Sequence, residues 1–346
     1  MKALVKVKKG AGNIEIKDVS VPVPGDDEVL IKVYYGGICG TDIHIQKDEF
    51  PYYPPVILGH EFSGVIEETG KNINKWEKGD RVVSELHTLS CRSCSFCRTG
   101  NPQACNEKKA PGWGIDGAFA EYIKMPAWLL HEVPDNVPLK EAALAEPAAI
   151  SAHALFQRIN MEVGDFVVIL GPGPIGLILA QLAKIKGAAD IMITGVNKDI
   201  DNRLSVAERL GIDYVVNSEK EDAVEKIKNL TDNGADLVLE AAGVESTINQ
   251  AFEMVKWSGK IGVLGLPGED KLNIKWTTGA FKSIDINFSF SSNYQDWKQV
   301  LGLLGSEQLN LEILISDIYS LQSWKEAFNK VKSGKAVKAL FEINEE

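Results

Sequence analysis

The sequence predicts an α/β protein of two domains: a β-rich domain of short strands, and a doubly wound parallel sheet with helical crossovers. Three observations carry this reading. The chain has 346 residues, more than one hydrophobic core comfortably serves. Its first part alternates short apolar runs with Gly, Pro and Asp turns. Near residue 165 the pattern changes to continuous apolar runs separated by helical stripes.

In the first part, strands are expected at residues 3–7, 29–34, 64–67, 81–84 and 119–123. The turn signals PVPGDDE, EKGDR and WGIDG punctuate them, as in all-β or barrel-like domains. No long helical period interrupts the series. Within it, Cys39, His60 and Glu61 offer a thiolate, an imidazole and a carboxylate. That mixture suits Zn²⁺ and leaves a coordination position open, as catalytic zinc requires.

Further on, Cys91, Cys94, Cys97 and Cys105 form C-x2-C-x2-C-x7-C. Four thiolates in one loop close a tetrahedral site with no opening, which points to structural zinc. By spacing alone, an iron–sulfur cluster or free thiols stay open as alternatives. Of the five histidines, His87, His131 and His153 read as ordinary hydrogen-bonded rings. His44 stands five residues after Cys39, near enough to serve the same centre as a proton carrier.

The second part opens on the apolar run 165–170, the mark of a strand buried on both faces. Gly171, Pro172, Gly173, Pro174, Ile175 and Gly176 follow, and then a helical stripe over 177–188. Strand, G-x-G-x-x-G and helix in that order build a dinucleotide pyrophosphate site on a helix N-terminus. Strands are expected at 191–194, 214–216, 236–240, 260–264 and 285–290, with helices at 201–210, 223–230 and 246–255. The glycine-bearing turns AAG and GLPG contribute Ala242 and Leu266 at strand ends, where a dinucleotide would lie.

The ribose position falls on Gly195, where an NAD site usually carries an acid. Asn197, Lys198 and Arg203 follow, and the two cations favour a 2′-phosphate, hence NADP over NAD. Asp199 and Asp201 pull the other way. The tail is read as helices at 294–304 and 321–333 and a strand at 336–343 that completes the first domain.

Hydrophobic content of 45% and charged content of 25% are those of a globular protein. A net charge of -11 argues against nucleic acid or an anionic membrane as partner. Five cysteines, four of them clustered, favour metal over disulfides. With no signal-peptide core and no transmembrane run, a cytoplasmic home is expected.

GHE at 59–61, the spaced cysteines, GAFAEY at 117–122, EP at 146–147 and the glycine turn occur together in one order. In this the chain resembles the zinc-dependent medium-chain alcohol dehydrogenases, in particular the sorbitol (polyol) and threonine dehydrogenase branch. The resemblance implies a discontinuous GroES-like catalytic domain, residues 1–148 and 290–346, around a Rossmann domain at 149–289. It implies one catalytic and one structural zinc, an NAD(P) cofactor, and a cleft between the domains. Cys39, His60 and Glu61 match the catalytic zinc ligands, and Glu146 the carboxylate that binds directly, through water, or in exchange with Glu61. Thr41 matches the hydroxyl that takes the alcohol proton, His44 the end of the relay, and Asp42 a partner for His60.

The implied activity is hydride transfer between a secondary alcohol or polyol, or its ketone, and NAD(P). Two alternatives are an L-threonine 3-dehydrogenase and a zinc-stabilised dinucleotide-binding sensor without turnover. The implied partners are a small-molecule alcohol or ketone and further copies of the chain, as dimer or tetramer. Ile43, Phe50, Tyr52, Trp113 and Phe290 are candidates for the substrate pocket, with core packing as the plainer role.

Overall fold

A computed structural model describes residues 1–268 and 271–345. The chain divides into two compact units, Met1–Ala149 with Ser292–Glu346, and Ile150–Ser291.

The first unit is built on a seven-stranded sheet and a three-stranded one. The larger sheet runs Ile315–Ser320, Lys338–Glu342, Glu28–Gly37, Glu61–Thr69, Arg81–Ser84, Leu130–Glu132, and Tyr122–Pro126 pairs with Glu28–Gly37 off this path. All pairs are antiparallel except Ile315–Ser320 with Lys338–Glu342. The strand Glu28–Gly37 organises the sheet, because it is bonded to three others. Its residues Val29, Ile31 and Val33 pack on Phe62, Ile66 and Met125 in the core. The smaller sheet sets Lys2–Lys6 between Ile14–Asp18 and Val56–Ile57.

Besides the unexpected strands Ile14–Asp18, Val56–Ile57, Leu130–Glu132 and Ile315–Ser320, two features of this unit differ from the sequence reading. An eight-residue helix, Gly40–Lys47, follows the central strand. It is too short to show a helical period, and residue pattern alone does not reveal it. The strand expected at 119–123 lies at Tyr122–Pro126. The apolar signal from Phe119 and Ala120 is core packing, since Phe119 N donates to Leu58 O and Ala120 only bridges to Ala3.

The second unit holds six parallel strands in the order Tyr214–Asn217, Asp190–Gly195, Phe166–Leu170, Ala235–Glu240, Val255–Val263, Asp285–Phe288. By position in the chain this is 3-2-1-4-5-6, the doubly wound order in which the strand order reverses beside the first strand. Helices Pro174–Lys186, Ala223–Leu230 and Glu245–Met254 form crossovers. Phe166–Leu170 is buried throughout, as its unbroken apolar run requires. The helix expected over 201–210 begins instead with a wider turn, Ile200–Leu204, before Ser205–Arg209.

Candidate active site

Sheet register assembles the first centre. Gly37 pairs with Glu61 on one side and with Leu340 on the other. A side chain at Gly37 would sit 2.2 Å from Glu61 Oε2, so the bare backbone there makes room for the Glu61 carboxylate. Lys338, on the strand that carries Leu340, places Nζ 2.6 Å from Glu61 Oε1 and 2.5 Å from Oε2. The central strand then ends, and Cys39 becomes the N-cap of the helix Gly40–Lys47. Asp42, in the first turn, accepts the Cys39 backbone N–H at 2.9 Å. Its other oxygen lies 3.9 Å from His60 Nδ1.

Cys39, His60 and Glu61 thereby bring one donor atom each within 4.8 Å of one another. His60 and Glu61 are buried, and Trp113 packs edge-on against the His60 ring at 5.1 Å. The donor set fits zinc. Asp42 Oδ1 and His60 Nδ1 are buried without a hydrogen-bond partner, an arrangement the oriented imidazole of a metal site would use. Burial, then the charge of Glu61, pushes the Cys39 thiol up to about 12, and a divalent cation is the group that would hold it as thiolate. Burial would lower Lys338, but facing Glu61 and then Cys39 overcome this and raise it. Glu146 stands outside the three-donor set yet is buried nearby. Burial is the main force that pushes its carboxyl up to about 8, with His60 opposing and Glu61 and Cys39 adding to it.

Thr41 and His44 share a face of the short helix, three residues apart. Thr41 Oγ1 lies 3.7 Å from Cys39 Sγ. His44 is half-exposed and pairs through Nδ1 with Glu49 Oε2 at 3.0 Å. Among the candidates for a pocket wall, Phe50 and Trp113 meet edge to face at 5.5 Å, beside His60. Ile43 is buried in the core, and Tyr52 is committed to Asp48 and to the ammonium groups of Lys6 and Lys9. Phe290 belongs to the other unit, where it is exposed.

The four loop cysteines also form one cluster within 4.8 Å. Cys94 caps the one-turn helix Ser95–Arg98. Backbone N–H groups of Cys91, Cys94 and Cys97 point at the sulfurs of Cys105, Cys91 and Cys94, at 3.4, 3.3 and 3.5 Å. Hydrogen bonds from the Ser93 and Cys94 backbone bring the Cys91 thiol down to about 6. Burial, then the neighbouring Cys94 thiol, pushes Cys97 up to about 12, so a cation is the group that would hold the whole set as thiolates.

In the second unit, Gly171 takes a φ of +107°, a backbone state that favours glycine, and Gly173 caps the helix Pro174–Lys186 with Pro174 and Ile175 in its first turn. A Cβ on Gly176 would lie 2.0 Å from Gly171 O, so strand and helix touch there through bare backbone. A helix N-terminal turn of this kind leaves N–H groups without intrahelical acceptors, a backbone surface that suits an anion. Ala242 and Gly243 donate N–H bonds to Glu240 Oε1 at 3.0 and 2.9 Å, and Leu266 lies exposed beside Gly243.

At the end of the second strand, a Cβ on Gly195 would meet Pro172 and Leu204 at 2.8 and 2.9 Å. The missing acid is therefore also a packing requirement. Asp199 is buried, accepting Val196 N at 3.1 Å and Arg203 Nη1 at 3.2 Å. It is thus committed to its own turn. Asn197, Lys198 and Asp201 are exposed.

Lys338 is the residue of the first centre that the motifs do not reveal. Its signal is a lysine inside the apolar run Val337–Phe341 of a buried strand.

Residues 25–135 match the alcohol dehydrogenase GroES-like domain, and residues 174–306 match the zinc-binding dehydrogenase family. The chain is 38% identical over 341 residues to sorbitol dehydrogenase of Halalkalibacterium halodurans, covering 98% of each. It is 37% identical to D-arabitol-phosphate dehydrogenase of Enterococcus avium, over 100% of this chain and 98% of that one. A zinc-binding dehydrogenase from Sinorhizobium meliloti bound to NADP superposes with a TM-score of 0.91 at 31% identity, covering 99% of each chain. With both halves matched and these relatives aligned end to end, the chain belongs to the zinc-dependent medium-chain alcohol dehydrogenases, oxidoreductases that act on CH–OH groups with NAD(P).

Proposed function

We propose that this protein interconverts a secondary alcohol or polyol and its ketone, with NADP favoured over NAD. The observation that carries the reading is the Cys39–His60–Glu61 set, with Cys39 half-buried, His60 and Glu61 buried, and the Thr41 hydroxyl beside it. Zinc held there supplies Lewis-acid polarisation of the substrate oxygen, and the nicotinamide supplies the hydride acceptor. Thr41 Oγ takes the alcohol proton, and His44, on the solvent side of the same helix face, passes it outward. Asp42 orients His60, and Lys338 balances the charge of Glu61. Glu146 completes the ligand set or exchanges with Glu61. The cysteine loop holds the structural zinc. In this reading residues 1–148 and 290–346 form the catalytic domain, and 149–289 the dinucleotide domain. There Gly171, Gly173, Pro174, Ile175 and Gly176 receive the pyrophosphate, and Ala242 and Leu266 line its far side. Exposed Lys198 supports the NADP preference, while Arg203 is paired with Asp199.

The substrate is a small molecule. No described helix is long and apolar enough to cross a membrane. A homo-oligomer, dimer or tetramer, is supported by the outermost strand Asp285–Phe288, around which Phe288 and Trp276 are 70% and 67% exposed. Free cysteines throughout support a reducing, cytoplasmic setting.

The test is a panel of polyols, secondary alcohols and threonine with NAD and NADP side by side, followed by nicotinamide absorbance. Turnover of a polyol or secondary alcohol is expected. Threonine as clearly the best substrate replaces the reading with a threonine dehydrogenase. Cofactor binding with no turnover of any alcohol replaces it with a dinucleotide-binding sensor.

A further inference from the structure

The ribose end of the dinucleotide groove holds a carboxylate that the spacing from the glycine turn does not indicate. Gly195, closing the second strand, pairs with Asn217, closing the third. Two residues beyond Asn217, Glu219 turns back across the gap, and its Oε2 accepts the backbone N–H of Asn197 at 2.5 Å. The contact is buttressed. Glu219 N donates to Asn217 Oδ1 at 3.1 Å, and Asn217 Nδ2 donates to Asn197 Oδ1 at 2.9 Å. Glu219 is exposed, as is Lys198 next to Asn197. Asp199, the nearer acid in sequence, is buried in its own turn.

We propose that Glu219 is the specificity-determining carboxylate of this groove, delivered from the third strand because Pro172 and Leu204 leave no room for one at Gly195. The inference rests on the reading that the groove binds NAD(P). A 2′-phosphate carries up to two negative charges and seeks backbone N–H groups. Glu219 occupies the Asn197 N–H and repels that charge. A ribose hydroxyl, by contrast, can donate to the same carboxylate. Lys198 attracts the phosphate and Glu219 opposes it, so the two cofactors stay closer in affinity than Lys198 alone would make them.

The experiment is calorimetric titration of NAD and of NADP into the wild type, Glu219→Gln and Glu219→Asp, at low and high salt. Glu219→Gln is expected to tighten NADP by roughly three- to fivefold, the reach of one exposed charge, while NAD stays level or weakens. High salt should shrink that gain, because the effect is Coulombic. Glu219→Asp keeps the charge and should keep most of the discrimination. Parallel changes for both cofactors, no change for either, or equal behaviour of the Gln and Asp variants would overturn the proposal. A separate arm addresses the underlying reading. Lys198→Ala that leaves NADP affinity intact removes the basis for NADP preference, whatever Glu219 does.

Discussion

The metal centre of the first unit and the dinucleotide groove of the second are built by opposite means. The first is made of ionisable side chains, buried except for half-buried Cys39: Cys39, His60, Glu61, Glu146 and Lys338. The second is made largely of side chains that are not there: Gly171, Gly173 and Gly176, whose backbone is the binding surface in the proposed reading. A buried charge set depends on each member for electrostatic balance. A bare-backbone groove depends on space. Substitutions should therefore break the first by deletion and the second by addition.

The largest effect is expected from Cys39→Ser. Turnover should fall by roughly a thousandfold or more, since the whole reaction runs at the metal. Cofactor affinity and the metal of the cysteine loop should persist, as shown by dinucleotide titration and metal analysis. An active variant would remove Cys39 from the centre. Next comes Lys338→Met, which leaves the Glu61 carboxylate buried without its cation. A loss of about 3–5 kcal/mol is expected by chemical denaturation of the metal-free protein, the range for breaking one side of a buried pair. Unchanged stability would mean that Glu61 does not need that partner. In the groove, Gly176→Ala adds a methyl group 2.0 Å from Gly171 O, and backbone must move to admit it. A cost of about 1–3 kcal/mol is expected, with weaker dinucleotide binding and intact metal content. Equal binding in a calorimeter would show that strand and helix separate without consequence.

The smallest effect concerns pH and sharpens the contrast, because the second unit also buries the Glu240 carboxylate. Burial raises Glu240 above its ordinary 4.5, against the Thr247 hydroxyl and the Gly243 and Ala242 N–H groups. The folded state thus keeps the Glu240 proton after the unfolded chain has lost it. Stability tied to that proton is present below 4.5 and drains away as pH rises through the folded value. Glu240→Gln has no such titration, so its stability relative to wild type should improve as pH rises from the ordinary 4.5 through the raised folded value. Melting curves that stay parallel across that range would sink the idea.

What the sequence determined by itself is the local part. The cysteine spacing brings four sulfurs together over fifteen positions of one loop, and the glycine turn needs only a strand before it and a helix after it. In both, covalent connection and backbone geometry do most of the assembly, so composition and spacing report them. His60 and Glu61 were legible for a related reason: they are adjacent, and GHE occurs in order with the cysteine loop, GAFAEY, EP and the glycine turn. Tertiary structure decided the rest. Lys338 reaches Glu61 across 277 residues, and only the register of Gly37 between two strands brings them together. Glu219 meets Asn197 because the second and third strands end level. The short helix carrying Thr41 and His44 is fixed by where the central strand stops. Pairing of distant strands depends on the whole sheet closing at once, and no local spacing encodes it.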